Sequence, residues 1–182
     1  MANAALVIVD VQNDYFADGK FPLQGMEAAA ERAQRALEHA RSNDVAVFHV
    51  RHEIPVEGAP FFEPGTPGAE IHDLVAPAGD EPVVTKHFPN SFRETGLEQQ
   101  LRDAAVDEVV VVGAQSNMCI DATARAANDL GFTVRVLHDA CAAKEQQFDG
   151  VDIPADTVHR TFMAALVPTY ATVTTTEQFV GD

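Results

Sequence analysis

Short apolar runs alternate with amphipathic stretches along this chain. The runs are rich in valine, isoleucine and alanine and are too short for ordinary buried helices, so they predict strands covered on both faces. They occupy 5–9, 45–50, 82–85, 109–112, 133–137 and 171–174. Between them, apolar residues spaced by three and four predict helices over 26–42, 97–105, 119–130 and 156–166. This alternation predicts a doubly wound α/β fold with a mainly parallel sheet flanked by helices.

The segment from Arg51 to Pro82 interrupts this alternation. It is rich in proline and glycine, which excludes long regular elements. Long loops in compact domains are usually functional or disordered, and we expect this one to be an ordered, lid-like segment. No linker or repeat divides the chain, so residues 1–182 are expected to form a single domain.

The charge and the cysteine content narrow the class of protein. A formal net charge of -16 argues against nucleic acids and anionic membrane surfaces as partners. The N-terminus has no basic region, which argues against a signal peptide, and no apolar run approaches the ~20 residues of a membrane span. Two cysteines, Cys119 and Cys141, do not make a disulfide framework. We therefore expect a cytoplasmic protein with reduced thiols.

Three chemically capable side chains follow predicted strands. Asp10 follows the first strand, Lys86 the third, and Cys119 the strand at 109–112. Ligands bind beyond the carboxyl ends of the strands in such sheets, so an acid, a base and a nucleophile are expected at one edge. At the start of a helix, Cys119 would also have its thiolate favoured and free N–H groups nearby for an oxyanion. The alternative is that Cys119 is a small buried apolar residue, as we expect of Cys141.

Several common binding motifs are missing from the sequence. No G-x-G-x-x-G follows the first strand and no Walker A sequence is present, so dinucleotide and P-loop binding lack support. Candidate metal ligands in or beside the Pro-rich segment are His49, His52, Glu53 and His72. Their spacing does not match a compact metal site, so no metal or other cofactor is predicted. His52 is expected to line or support the substrate pocket.

The sequence resembles the isochorismatase-like cysteine hydrolase superfamily nearly from end to end. The resemblance rests on ALVIVDVQNDYF, FEPGTPGAEIH, VVTKHFPNSFRETGLEQQL, VVVVGAQSNMCIDATARAANDLGF and VLHDACAA, taken together. It implies the three-layer α/β/α fold of that superfamily. It also implies a homo-oligomer, either a dimer or a tetramer.

The resemblance further implies a catalytic triad. Cys119 would attack the carbonyl carbon of an amide to form a thioester, Asp10 would act as general base, and Lys86 would keep Asp10 ionised. The backbone N–H groups of Gln115 and Cys119 would form the oxyanion hole. Family members usually carry a cis peptide at that point, so we expect one between Ala114 and Gln115.

Two departures from relatives narrow the expected activity. Isochorismatases that break a vinyl ether can lack the cysteine, whereas Cys119 is present. Nicotinamidases carry an Asp-x-His metal motif where this chain has Arg-His-Glu at 51–53. We therefore expect a metal-free amidohydrolase for a small amide, ureido or lactam-like substrate, with Phe16, Phe88 and Phe92 as candidate pocket walls. A metal-dependent nicotinamidase and a catalytically silent metabolite-binding member remain alternatives.

Overall fold

Residues 3–181, which the computed structural model describes, form eight strands and five α-helices. The strands are β1 (Ala4–Val9), β2 (Ala46–His52), β3 (Val83–Lys86), β4 (Glu108–Ala114), β5 (Thr133–Ala142), β6 (Gln146–Phe148), β7 (Val151–Ile153) and β8 (Thr172–Thr174). The helices are α1 (Met26–Ser42), α2 (Leu97–Asp103), α3 (Asp121–Asp129), α4 (Ala155–Leu166) and α5 (Thr176–Gly181). Within the same residues, no helix combines the length and apolar character that a bilayer crossing requires.

Six of the strands form one parallel sheet in the order β3-β2-β1-β4-β5-β8. Side chains alternate between its two faces, as the two-residue period of a strand requires. Leu6 and Ile8 of β1 pack in the core that contains α1 and α5. Ala5 and Val7 pack in the second core, with residues of α2, α3 and α4. The predicted doubly wound α/β sheet with helices on both faces is confirmed.

The close approach of β4 to β1 requires a glycine. Gly113 has a φ of +123, and a Cβ at this position would overlap the carbonyl oxygen of Val9. The register between β4 and β5 also shifts between Val111 and Gly113. The irregularity lies in β5, which advances from Val136 to Cys141 while β4 advances from Val111 to Gly113, and β4 stays in register with β1 as far as Gly113.

Some predicted boundaries differ from the structure. β5 continues to Ala142, beyond the predicted end at 137, so Asp139 lies inside the strand. There its carboxylate accepts hydrogen bonds from the backbone N–H and the hydroxyl of Thr176, at the start of the unpredicted helix α5. α4 begins at Ala155, one residue before the predicted start at 156, so Asp156 lies in its first turn and Pro154 is the N-cap residue. The β6–β7 hairpin was also not predicted, because its exposed residues carry no apolar pattern.

The Pro-rich segment is ordered against the loop that follows β1. As predicted, it lacks long regular elements: beyond the end of β2 at His52 its helical structure is limited to two short 3-10 turns, at Pro67–Ala69 and Asp73–Val75. Its backbone is tied to the loop by hydrogen bonds from Asn13 N to Glu70 O, at 3.0 Å, and from His72 N to Val11 O, at 2.9 Å. The segment therefore covers the carboxyl edge of β1.

Candidate active site

Asp10, Lys86 and Cys119 meet at the carboxyl edge of the sheet. Asp10 directly follows β1, and Lys86 is the last residue of β3. Cys119 lies in a π-helical turn, Ser116–Ile120, between β4 and α3. Asp10 and Lys86 have no exposed surface, and Cys119 is 4% exposed. The folding of three separate strands thus places a carboxylate, an ammonium group and a thiol in one buried site.

The ammonium group of Lys86 is the centre of this cluster. Its Nζ lies 2.7 Å from Oδ2 of Asp10 and 3.2 Å from Sγ of Cys119. It also lies 2.8 Å from Nδ1 of His52. Because an ammonium group can only donate, Nδ1 of His52 accepts and the ring carries its proton on Nε2. His52 was expected to line or support the pocket, and the structure places it in contact with Lys86.

The pKa of Asp10 reflects opposing effects. Burial alone would raise it, because a carboxylate loses solvation in the protein interior. The Lys86 ammonium, and to a smaller extent His52, outweigh this effect and lower the pKa below its ordinary value. Asp10 is therefore ionised at neutral pH and can accept a proton.

The pKa of Cys119 is shifted in the opposite direction. Burial raises it, the negative charge of Asp10 raises it further, and Lys86 offsets only part of this. The lowered pKa expected at a helix N-terminus is therefore wrong. Cys119 precedes α3 in the π-helical turn, where burial dominates. The thiol is protonated in the free protein, so its reaction as a nucleophile requires a nearby base.

The peptide bond between Ala114 and Gln115 is cis, as predicted. Gln115 is extended and directly precedes the turn that carries Cys119. Its side-chain Nε2 donates to the hydroxyl of Tyr15 at 3.3 Å, and both residues are buried. Burial, followed by the negative charge that Cys119 gains only at high pH and by the charge of Asp10, raises the pKa of Tyr15 well above its usual value. Sequence reasoning missed Tyr15, although it lies inside the run ALVIVDVQNDYF that carries part of the family resemblance.

The three candidate pocket phenylalanines lie in different surroundings. Phe16 stacks on His72 with ring centroids 3.7 Å apart, and both line a cavity of about 580 Å³ beside the Pro-rich segment. Phe88 lies under the guanidinium of Arg93. Phe92 packs in the core that contains α2 and α3. Their contact with substrate stays a prediction.

The candidate metal ligands do not converge on one point. Nε2 of His49 lies 2.8 Å from Oε2 of Glu81. Glu53 pairs with Arg51, and His72 stacks on Phe16. Only His52 of the predicted set lies at the candidate active site.

A different set of potential ligand atoms does converge. Within residues 3–181, Asp10, His52 and Cys119 form the one group of three such residues, with their ligand atoms within 4.8 Å of one another. The Lys86 ammonium contacts all three residues. These ligand atoms therefore already face the positive charge of Lys86, which makes the cluster a poor fit for a metal cation.

Gln12 and Asp14 join the Pro-rich segment to the site. The amide of Gln12 donates to the carbonyls of Ala69 and His52, and its oxygen accepts from the backbone N–H of His52. The buried carboxylate of Asp14 accepts from the backbone N–H groups of Phe62, at 2.6 Å, and Lys20, at 3.1 Å. In the sequence both residues look like ordinary polar loop residues. Their role in anchoring the Pro-rich segment is visible only from their backbone partners, which are distant in the sequence.

The fold and this cluster define an α/β protein with the reactive groups of a thiol hydrolase. The chain matches the family model "Isochorismatase domain" over residues 4–178 and belongs to the isochorismatase family. It is 47% identical over 176 residues to the uncharacterized isochorismatase family protein YddQ of Bacillus subtilis (strain 168), covering 97% of this chain and 98% of that protein. It is 38% identical over 153 residues to a streptothricin hydrolase of Streptomyces noursei, covering 83% of this chain and 51% of that protein.

Solved structures agree with this assignment. The crystal structure of a putative isochorismatase hydrolase from Oleispira antarctica superimposes with a TM-score of 0.96 at 46% sequence identity. That comparison covers 100% of this chain and 97% of the other. The protein is therefore an isochorismatase-family hydrolase.

Proposed function

We propose that this hydrolase cleaves a C–N bond of a small amide, ureido or lactam-like substrate through a thioester on Cys119. The observation that carries the proposal is the buried contact of one ammonium group, on Lys86, with both the Asp10 carboxylate and the Cys119 thiol. An ionised acid beside a protonated thiol is the state that precedes attack on a carbonyl. Relatives named nicotinamidase and maleamate amidohydrolase support an amide as the substrate class.

The first half of the reaction forms the thioester. Asp10 takes the proton of the Cys119 thiol as Sγ bonds to the carbonyl carbon, and the carbonyl oxygen becomes an oxyanion. The backbone N–H groups of Gln115 and Cys119 donate to this oxyanion. The C–N bond then breaks, and the proton held by Asp10 passes to the leaving nitrogen. Ammonia or an amine departs, or in a lactam the amine stays attached to the opened chain, and the acyl group stays on Sγ.

The second half releases the acid. Asp10, again ionised, takes a proton from water, and the resulting hydroxide bonds to the thioester carbon. The carbon–sulfur bond breaks, and the proton returns from Asp10 to Sγ of Cys119. Lys86 remains charged throughout, which favours the ionised form of Asp10 before each proton transfer. The net reaction is amide plus water giving acid plus amine.

His52 supports the orientation of the ammonium group in this proposal. By accepting from Nζ of Lys86, it leaves the other ammonium protons for Asp10 and Cys119. Its side chain is 13% exposed, whereas those of Asp10 and Lys86 have no exposure. His52 is therefore the member of the cluster nearest to solvent, and its Nε2–H is free to meet a polar group of the substrate.

The test is hydrolysis of a panel of small amides, measured as ammonia release and, for cyclic amides, as the ring-opened product by mass spectrometry. The panel holds nicotinamide, carbamoylated amino acids, ureido compounds and cyclic amides, each with and without a chelator. Turnover that resists the chelator, is lost in Cys119→Ala and persists in Cys141→Ala supports the proposal. Equal loss in the two variants would remove Cys119 as the nucleophile.

Two other outcomes correspond to other functions. Release that needs stoichiometric zinc or iron would indicate a metal-dependent nicotinamidase, with Asp10 and His52 as the ligands to examine first. Binding of a panel compound without turnover, in a folded protein with Cys119 intact, would indicate a metabolite-binding member.

We also propose that the 182 residues act as a single domain and assemble into a homo-oligomer, a dimer or tetramer. The β6–β7 hairpin supports the assembly, because an isolated two-stranded hairpin is at best marginally stable in water. Phe148 and Val151 pair across it and are 78% and 62% exposed. Light scattering on the wild type and on Phe148→Ser tests this. If a second copy packs over this pair, the wild type should be a dimer or tetramer and the variant should have a lower mass.

A further inference from the structure

Ser116 begins the π-helical turn that carries Cys119, and its side chain connects that turn to two other elements. The residue has no exposed surface. Its hydroxyl donates to the carbonyl oxygen of Ala142, at the end of β5, over 3.1 Å. Its Oγ also lies 2.8 Å from Nδ1 of His159, in α4.

The hydroxyl of Ser116 has a single proton, and this sets the direction of the second contact. Because that proton is donated to Ala142, Oγ accepts from Nδ1 of His159, which therefore carries the ring proton. A half-buried position and the nearby His138 lower the pKa of His159, which favours this neutral ring at physiological pH. The contact is thus a defined hydrogen bond from α4 into the turn.

The other side chains of the turn are of two kinds. Cys119 and Ile120 are buried in the core that contains α2, α3 and α4. Met118 is 46% exposed, and within residues 3–181 the buried Oδ1 of Asn117 has no hydrogen-bond partner. The turn is closed by backbone bonds from Met118 and Ile120 to the carbonyl of Gln115. The turn is therefore held at its carboxyl end by the packing of Cys119 and Ile120, and at its amino end by Ser116 and the groups it contacts.

We propose that His159 is a positioning residue that acts through Ser116 to aim the backbone N–H groups of Gln115 and Cys119 at the substrate oxyanion. The inference rests on the proposed function, because it assumes that these two N–H groups form the oxyanion hole. Ser116 is adjacent to Gln115 and lies one helical turn before Cys119, so a shift of Ser116 moves both donors. Loss of one oxyanion-hole donor lowers kcat by ~10²–10³, so partial misalignment is expected to cost about 10- to 100-fold.

Two reactions of Cys119 separate this role from a general effect on the thiol. Acylation by p-nitrophenyl acetate passes through an oxyanion and needs the hole. Alkylation by iodoacetamide forms a bond from Sγ to a methylene carbon with loss of iodide, and it needs the thiol and its base but no oxyanion hole. A positioning role predicts that only the first reaction is impaired.

The experiment compares three variants with the wild type. His159→Leu removes the hydrogen bond and is expected to slow acylation about 10- to 100-fold while alkylation stays within about twofold. His159→Asn keeps an N–H near the position of Nδ1 and is expected to recover most of the acylation rate. His138→Leu is the matched control, since its ring lies 6.3 Å from that of His159 and does not contact Ser116. It should leave both rates unchanged.

A fourth variant covers the case in which His159→Leu does not fold. Ser116→Ala removes only the hydroxyl and should give the same selective loss of acylation. Equal loss of both reactions, or wild-type acylation in His159→Leu or Ser116→Ala, would overturn the inference. Absence of Cys119 acylation in the wild type would instead contradict the proposed function itself.

Discussion

Nζ of Lys86 lies 2.7 Å from Oδ2 of Asp10, and neither side chain is exposed to solvent. A buried ion pair gains Coulomb energy but loses the solvation of both ions, so its net contribution to stability is small or negative. At this position the ion pair contributes to the reactivity of the site. It keeps a carboxylate ionised beside a thiol whose pKa is raised, which is the combination that a proton transfer from Cys119 to Asp10 requires.

Lys86→Met is expected to lose activity and to destabilise the protein by about 3–5 kcal/mol at neutral pH. The reason is that the Asp10 carboxylate would be left buried without its positive partner. Asp10→Asn combined with Lys86→Met removes both charges and should recover most of the stability but none of the activity. Urea unfolding of the two variants measures this, and equal stability of the single and double variants would contradict it.

The pH dependence follows from the directions of the pKa shifts. The pKa of Asp10 in the folded protein lies below its ordinary value of 3.8. The stability that its ionised form contributes is therefore present above pH 3.8 and is lost as the pH falls through the folded pKa. Activity should likewise fall on the acid side only below this ordinary value, provided that the fold persists.

The raised pKa of Cys119 gives a separate prediction. No thiolate should form between about pH 5 and about pH 9, where an activated catalytic cysteine would ionise. The ultraviolet absorbance of thiolate, measured as the difference between the wild type and Cys119→Ala, should not titrate in this range. A titration near neutral pH would mean that the thiol is activated before substrate binds, without proton transfer to Asp10.

Gly113→Ala is expected to prevent folding or to destabilise the protein by more than about 4 kcal/mol. The added Cβ would overlap the carbonyl oxygen of Val9 in the neighbouring strand. Gly150→Ala is the matched control, because Gly150 also has a positive φ but has open space around it. That change should cost about 1–2 kcal/mol through backbone strain alone. Soluble yield and thermal unfolding distinguish the two, and similar losses would contradict the close approach of β4 to β1.

Asp14→Ala is expected to loosen the Pro-rich segment. It leaves the buried N–H of Phe62 without an acceptor, at a cost of about 1–3 kcal/mol. Hydrogen exchange should become faster across 58–70, while the strands keep their protection. Asp18→Ala, a change at an exposed carboxylate of the same loop, should not alter exchange there. Unchanged exchange in Asp14→Ala would show that other contacts hold the segment.

The sequence was sufficient for the elements that follow a strong apolar period. α1 was predicted at its observed bounds, and β1 and β4 were found because valine and isoleucine runs between helices leave few alternatives. The meeting of Asp10, Lys86 and Cys119 was also predictable, since the carboxyl ends of parallel strands share one edge.

Contacts made by side chains from distant parts of the chain were not predictable in the same way. The hydrogen bond between Ser116 and His159 depends on where α4 packs, and neither residue carries a local signal of it. The pKa of Cys119 was predicted in the wrong direction because helix position is visible in the sequence, whereas burial beside Asp10 is not. The β6–β7 hairpin was not predicted, because its residues are exposed and follow no apolar alternation.

The anchoring of the Pro-rich segment through Gln12 and Asp14 has a consequence for recombination between relatives. Transplanting 53–82 alone would separate the buried carboxylate of Asp14 from the backbone groups that fit it. A transplanted segment with any residue other than glycine at position 68 would also place a side chain where that carboxylate lies. The smallest exchangeable unit is therefore a pair of segments, 10–24 and 53–82. Both have to come from the same parent for a hybrid to keep its candidate active site intact.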